Sequence, residues 1–533
     1  MRQWNHFWRN IPWAALVVLA VAPSSVRAQD DKGPAPKYQG MLGCTICHNS
    51  AEQPNPVIVP EFCLMNESGV FRTEDKHALA YQLLVAEGSL GQRMAAKLKI
   101  KVEDAQQCLR CHAGWSPHDT RKPELELLES GVSCESCHGP SSNWDGPHRN
   151  PEFRQKSIEE KMKLGMNDVR DPVRRAQLCY SCHIGNADEG RVVTHEMYAA
   201  GHPPLPSIEV ETFIAAMPAH SRKFQEKGNF KFRDEYIVAS RIGDTAPDAM
   251  PRTKGVLVGG IVALSRSLDL YAKQMAPAHG PDFAMFDCQA CHHELRLPTW
   301  RQTRSRLGKP GRPRLSEWPT VLAEIAVAQV EPDAPLVLHE KLEKLALAMS
   351  ARPFGSDDVL KLISGNDKPE EGLVAWLDSQ AQALVARTLV KKDADRALTD
   401  LYHLGAADIY DFHSARQIAW AIRAVETETH LTYPTFPPYV DGLPRAARMI
   451  QVLDDIKTWQ EWRKTEKQAA IDNAAALLGE LNTSLRLNLP AGQKASIADN
   501  MAPFLEATGN YDPRSFQKLL QEAARRSGHA AAK

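Results

Sequence analysis

The sequence predicts a mainly α-helical protein with two unlike halves, and three observations predict it. Apolar residues recur at helical spacing, as in Leu338, Leu342, Leu345 and Met349, while strand-type alternation is nowhere convincing. Ten of the eleven cysteines fall into five Cys-x-x-Cys pairs, each followed at once by histidine. From residue 320 onward there is no cysteine at all. The expected organisation is a removable segment 1–28, a cysteine- and histidine-rich domain 29–297, a basic Pro/Arg-rich linker 298–319 and a helical domain 320–533.

The N-terminal segment has the regions of a secretory signal peptide. Arg2 and Arg9 lead into an apolar run from Ile11 to Ala22, then Pro23 and Val26-Arg27-Ala28. Cleavage after Ala28 and export to the periplasm are expected. The run is short for a spanning helix, so membrane contact is expected only if it stays uncleaved. The formal charge of −1 and 43% apolar content point neither to nucleic acid nor to disorder.

Eleven cysteines in an exported chain first suggest disulfides, but their positions argue otherwise. The five motifs are Cys44/Cys47/His48, Cys108/Cys111/His112, Cys134/Cys137/His138, Cys179/Cys182/His183 and Cys288/Cys291/His292. With 19 histidines in 533 residues, five such coincidences arise by chance about once in ten million. This is the spacing of c-type haem attachment: both thiols add to the haem vinyl groups, and the adjacent histidine ligates the iron. Zinc knuckles need no such histidine, and redox dithiols come singly. Five covalently bound haem c groups are expected, in a multihaem cytochrome c domain of short helices around closely packed haems. Cys63 is left over and reads as an inert thiol.

Residues 29–40 are polar and Pro/Gly-rich, a lead-in to the first motif. A helix is expected from Thr73 as N-cap, placing His77 in its first turn as an axial ligand, with Gly88 and Gly91 ending it. The second and third motifs follow close together. Gly131–His148 is the densest stretch: His148 stands too near its own motif to reach the far face of that haem easily, so it suits a neighbour. Val256 to Leu270 reads as a core helix. The arginines of 298–319, among them Arg301, Arg304, Arg306, Arg312 and Arg314, are either solvated or pair haem propionates or an acidic partner. In the C-terminal domain, Trp376, Leu384 and Leu389 lie on one stretch, and Asp512-Pro513 opens a last helix with Phe516, Leu519 and Leu520 inward.

Each iron's sixth position decides its chemistry. A second histidine suits electron transfer, methionine raises the potential, and an open site permits small-molecule binding. Beyond the motif histidines, His77, His118, His148, His195, His202, His220, His279 and His293 lie near a motif. The supply suffices for full coordination and equally leaves room for an open site.

CESCHGP followed by an aromatic residue and then Gly-x-His, together with the order of motifs across residues 44–183, resembles the cytochrome c-554 family. Those are tetrahaem proteins that take electrons from hydroxylamine oxidoreductase. The resemblance implies that His148 ligates the first haem opposite His48 and that His77 ligates the fourth opposite His183. It implies that the third haem takes His195 or His202, and that the second, on His112, is five-coordinate. The fifth motif and the long haem-free helical region depart from the family, and His118, His195 or His220 could fill the second site here. His293 suits a propionate contact or another haem. The expected function is electron transfer between periplasmic redox partners, a hydroxylamine oxidoreductase-like protein or another cytochrome among them. The alternative is a nitrogen-cycle oxidoreductase acting on nitrite, nitric oxide or hydroxylamine at one five-coordinate haem. Five motifs, rather than the eight of hydroxylamine oxidoreductase, and the lack of a CxxC-Lys variant stand against it.

Overall fold

The computed structural model describes residues 35–49, 65–114, 125–218, 220, 249–275, 282–292, 312–352, 357–365, 368–431, 467–488 and 508–526. The N-terminal segment 1–28, Cys63, His118, His279, His293 and the arginines from Arg301 to Arg306 lie outside them. Among the described residues the regular structure is helical, with only two isolated β-bridges, Asn186 to Arg191 and Ala249 to Val390.

The first part of the chain is made of short helices: α1 (Leu42–Thr45), α2 (Glu67–Glu74), α3 (Gln82–Val85), α4 (Leu90–Leu98), α5 (Gln106–His112), α6 (Cys134–His138), α7 (Pro172–His183), α8 (His195–Ala200) and α9 (Val210–Ala216). Their ends are set by local chemistry. Asp171 caps α7 by accepting from Arg174 N at 2.9 Å, with Pro172 in the first turn. Ser89 caps α4 by accepting from Gln92 N at 3.1 Å. Thr73 is not an N-cap: it sits in the last turn of α2, and the cap belongs to Asp75. The Asp75 carboxylate accepts from His77 N at 2.9 Å and opens a 3-10 turn, Lys76–Leu79. A carboxylate reaches these amides as a charge-assisted acceptor, which a threonine hydroxyl cannot match. Gly91, expected to help end the helix carrying His77, is instead buried within α4.

The apolar packing of this part is thin. Tyr81, Leu84, Ala95, Val102, Leu109 and Leu128 belong to a small separate cluster. The main core lies elsewhere, around α10 (Pro251–Gln274), a 24-residue helix buried along nearly its whole length. Among the described residues it is the one helix long and apolar enough to cross a membrane, yet it is mostly buried inside the protein. Buried at every position from Thr253 to Ser265, it needs partners on several sides. It finds α7 and α9 from the haem-motif part. From the haem-free part come α11 (Val321–Ala328), α13 (Asp357–Ser364), α14 (Leu373–Val385) and α16 (Phe412–Glu426). Its N-terminal amides are satisfied by Glu428, which accepts from Arg252 N at 2.8 Å and Thr253 N at 2.7 Å. Midway, Arg266 pairs with Asp378 of α14 at 2.7 Å.

The remaining helices, α12 (Ala334–Ala351), α15 (Lys391–Ala407), α17 (Lys467–Leu485) and α18 (Pro513–Arg526), close the same core. Leu338, Leu342, Leu345 and Met349 of α12 are buried in it, as are Leu384, Leu389, Phe516 and Leu520, while Trp376 and Leu519 pack at its edge. One core therefore runs across the boundary expected at 298–319, and the described residues from Pro36 onward belong to a single compact unit. The reason is α10, which is encoded before the linker and buried mainly by helices encoded after it. Arg314 of the linker is part-buried and already paired, with Asp287 at 3.4 Å and Glu317 at 3.1 Å, beside the fifth motif.

The α10–α11 crossing is close at Gly260. A Cβ added there would stand 2.6 Å from Leu322 Cβ and 3.1 Å from its backbone carbon. Gly260→Ala is expected to lose about 2 kcal/mol, the cost of overpacking a fitted core. Denaturant unfolding checks this, and a variant as stable as the parent would show that the crossing can relax.

Candidate haem centres

A CxxCH motif wound as one helical turn puts both thiols and the imidazole on the same side, because residues three and four apart share a face. Three motifs do this at helix C-termini, in α5, α6 and α7. In the other two, His48 N donates to Cys44 O at 2.9 Å and His292 N to Cys288 O at 2.8 Å, the same four-residue closure. All ten motif cysteines are free of disulfides. Two pairs of motifs meet through their sulfurs: Cys44 contacts Cys134, and Cys111 contacts Cys182. The first site thus abuts the third, and the second abuts the fourth.

The first and fifth attachment turns are set less deeply than the other three. Cys47 and Cys291 are exposed rather than packed inside, and Cys288 is exposed with them, whereas the other seven motif cysteines are partly buried. The reason is how these two turns are wound. Helix α1 ends at Thr45 and buries none of its residues, so Cys47 falls beyond it. The fifth motif opens as a 3-10 turn, Cys288–Ala290, which also buries none of its residues and leaves Cys291 past its end. The motifs of α5, α6 and α7 close inside helices that carry buried residues of their own. The first and fifth sites are therefore the two with exposed motif cysteines, one in the first and both in the fifth.

Among the described residues, four pairs of histidine rings face one another at nearly one distance. Ring centroids lie 6.4 Å apart for His48 and His148, 6.5 Å for His77 and His183, 6.5 Å for His138 and His220, and 6.4 Å for His195 and His292. Two imidazoles on opposite sides of one iron, with bonds of about 2 Å, place their centres about 6.3 Å apart. Each pair joins one motif histidine to one distal histidine, so the residues fit haem c held by two axial ligands. The rings are nearly parallel in the first and last pairs, at 17° and 26°, and crossed in the other two, at 88° and 90°.

Second contacts leave Nε2 of these rings for the metal. Nδ1 of His48 is held by Glu67 at 2.8 Å, Nδ1 of His77 by Asp75 at 3.0 Å and Nδ1 of His220 by the Pro218 carbonyl at 3.2 Å. Nδ1 of His148 is held by the Asp145 carbonyl. Such partners fix ring orientation and raise ligand basicity. Burial lowers the pKa of His138 and of His183 to about 4, favouring the neutral imidazole that binds metal.

The structure brings His148 to His48 and His77 to His183. It does not bring His195 or His202 to His138, where His220 stands instead. The His195 ring faces His292 instead, and its helix starts beside the fifth motif: Asp282, six residues before Cys288, accepts from His195 N at 2.9 Å. His220 was within the pool of nearby histidines, but only tertiary contact could single it out. His112 is the exception. Its Nδ1 bonds to the Ala80 carbonyl at 3.0 Å and burial lowers its pKa, yet among the described residues no ring faces it as the others are faced. His202 lies near enough for its charge to reach His112, while its own Nδ1 is tied to the Pro203 carbonyl at 2.7 Å. His413, in the haem-free part, is buried against Ser207 at 3.2 Å.

Sequence reasoning missed Glu135, one of the two residues between Cys134 and Cys137. It is almost fully buried, and its carboxylate accepts from Gln39 N at 3.0 Å, Gly40 N at 2.7 Å and Ser141 N at 2.7 Å. The glycine of CESCHGP is fixed by space as well as backbone angle. Gly139 has φ +89°, and a Cβ there would lie 2.1 Å from the Gly165 carbonyl oxygen.

A helical fold with paired histidines opposite CxxCH turns defines a multihaem c-type cytochrome, binding haem c covalently. Its haem-bearing part resembles, more particularly, the cytochrome c-554 family: residues 43–139 match the family described as cytochrome c554 and c-prime. One curated relative, the cytochrome c-554 of Nitrosomonas europaea, is 25% identical over 168 residues, covering 27% of this chain and 70% of the relative. No solved structure matches.

Proposed function

We propose that this is a periplasmic pentahaem cytochrome that passes electrons between redox proteins through four bis-His sites and one open site. The observation that carries the reading is the set of four histidine pairs at 6.4–6.5 Å, each built on a different CxxCH turn. When bound, haem c supplies one-electron iron chemistry. The chain supplies the rest. Paired histidines fill both axial positions, which favours electron transfer over substrate binding. The closeness of Cys44 to Cys134, and of Cys111 to Cys182, supports neighbouring sites that lie beside each other. The charged lead and apolar run of the N-terminus support export. The family resemblance supports a hydroxylamine oxidoreductase-like protein or another cytochrome as partner.

A second reading is favoured by one observation, the lack of a facing ring at His112 among the described residues. There the chain would admit a small nitrogen species such as nitrite, nitric oxide or hydroxylamine. Haem quantification and EPR of the oxidised protein test both readings. Five haems per chain are expected, one of them high-spin and perturbed by nitric oxide. Nearly parallel imidazole planes split the iron orbitals and give a rhombic low-spin signal, whereas crossed planes give a strongly anisotropic one. Two irons of each low-spin kind are expected from the 17°, 26°, 88° and 90° pairs. A spectrum with no high-spin iron would remove the open site and the enzymatic reading with it.

A further inference from the structure

We propose that the segment His195–His202 holds the fifth haem site directly beside the His112 site, with His195 as the distal ligand of the fifth iron. This rests on the pentahaem reading and adds to it the place of a site that the tetrahaem pattern lacks.

The segment is fastened at both ends. At its start, the His195 ring lies 6.4 Å from His292 and 5.8 Å from Phe283 between centroids. Asp282 binds His195 N at 2.9 Å and also accepts from Ala284 N at 2.8 Å, in the turn that leads into Cys288. The first residue of α8 is thereby locked to the approach to the fifth motif. At its other end, Lys97 of α4 donates to the Ala200 carbonyl at 3.0 Å. Gly201, at φ +121°, ends α8 with its open side facing Leu90 and Met94 of α4, at 3.6 and 3.9 Å from a Cβ placed there. Helix α4 in turn packs on the 3-10 turn Val102–Asp104, which contacts α5, the helix carrying Cys108, Cys111 and His112.

Tyr198 occupies the middle. Its ring meets His202 edge-on at 5.9 Å between centroids. His202, beyond it, lies within electrostatic reach of His112. The six residues of α8 rise about 9 Å, so one short helix leads from His195, beside the fifth motif, to the end where His202 comes within electrostatic reach of His112. At such separations inside protein, the charge on one iron acts on the other.

The test uses the full, haem-loaded chain. Haem is first counted in the unaltered protein: four per chain would overturn the pentahaem reading itself, whatever the place of His195. His195→Ala is then expected to keep five haems, lose half of the rhombic low-spin signal and double the high-spin signal. Five haems with an unchanged rhombic signal would overturn the ligation by His195. Should that variant not fold, His195→Met keeps an axial ligand and is expected to raise the potential of one iron, an unchanged set of potentials having the same overturning force. Adjacency is read from Cys288→Ala/Cys291→Ala, which removes the fifth haem. The midpoint potential of the high-spin iron on His112 is expected to shift relative to the unaltered protein. An unshifted potential would overturn adjacency even if His195 proves to be the ligand.

Discussion

Replacing His220 with alanine is expected to double the high-spin iron of the oxidised protein, from one haem in five to two. His220 stands 6.5 Å from His138 between ring centroids, at 90°, with its Nδ1 steadied by the Pro218 carbonyl. His138 is fixed by the covalent turn of its motif, and burial, which lowers its pKa to about 4, keeps it neutral and ligating. The variant therefore retains the proximal ligand and loses only the distal one. Because the pair is crossed, the loss should fall on the anisotropic low-spin signal, which halves, and leave the rhombic signal intact. His202→Ala is the control and is expected to leave the low-spin count unchanged. If His202→Ala raised the high-spin signal and His220→Ala did not, the third iron would belong to His202, one of the two histidines that the family resemblance implies.

The contrast between these two residues shows what the sequence could carry. The attachment turns are legible because their chemistry is local: two thiols and an imidazole within five residues leave one reading. How deeply each turn is set is not local, and the exposed Cys47 and Cys291 carry the same motif as the partly buried Cys111 and Cys182. Distal ligands arrive from remote parts of the chain, so residue order says little about which iron they meet. His195 illustrates this, since the carboxylate that anchors its helix to the fifth site is Asp282, 87 positions away in sequence. The helical class was legible from periodicity, and so was α10 as a core helix. The domain boundary was not. A Pro/Arg-rich stretch marks where regular structure pauses, but whether the core pauses there depends on what α10 packs against. Asp75 outcompetes Thr73 as a cap for a reason visible only in three dimensions, the simultaneous hold on His77 N and Nδ1.

Glu135→Ala is expected to cost about 3 kcal/mol, the scale for removing a buried charge from its hydrogen-bond partners. The Glu135 carboxylate is almost fully buried and accepts from three backbone amides, at 3.0 Å from Gln39, 2.7 Å from Gly40 and 2.7 Å from Ser141. Deleting it strands those donors in a part of the protein whose apolar packing is already thin. The loss should also be local in its consequences. Gln39 and Gly40 lead straight into α1, so the same carboxylate ties the first motif to the third and helps keep Cys44 against Cys134. Thermal or denaturant unfolding measures the stability, and EPR measures the first site through the nearly parallel pair His48 and His148. Glu135→Gln keeps the shape but turns one acceptor into a donor facing amides, so it should fall between alanine and the parent. A destabilised protein with an unbroadened rhombic signal would mean that the cysteine turns alone hold the first site in place. A destabilised protein with a broadened one would make Glu135 a positioning residue for the junction between two haem sites.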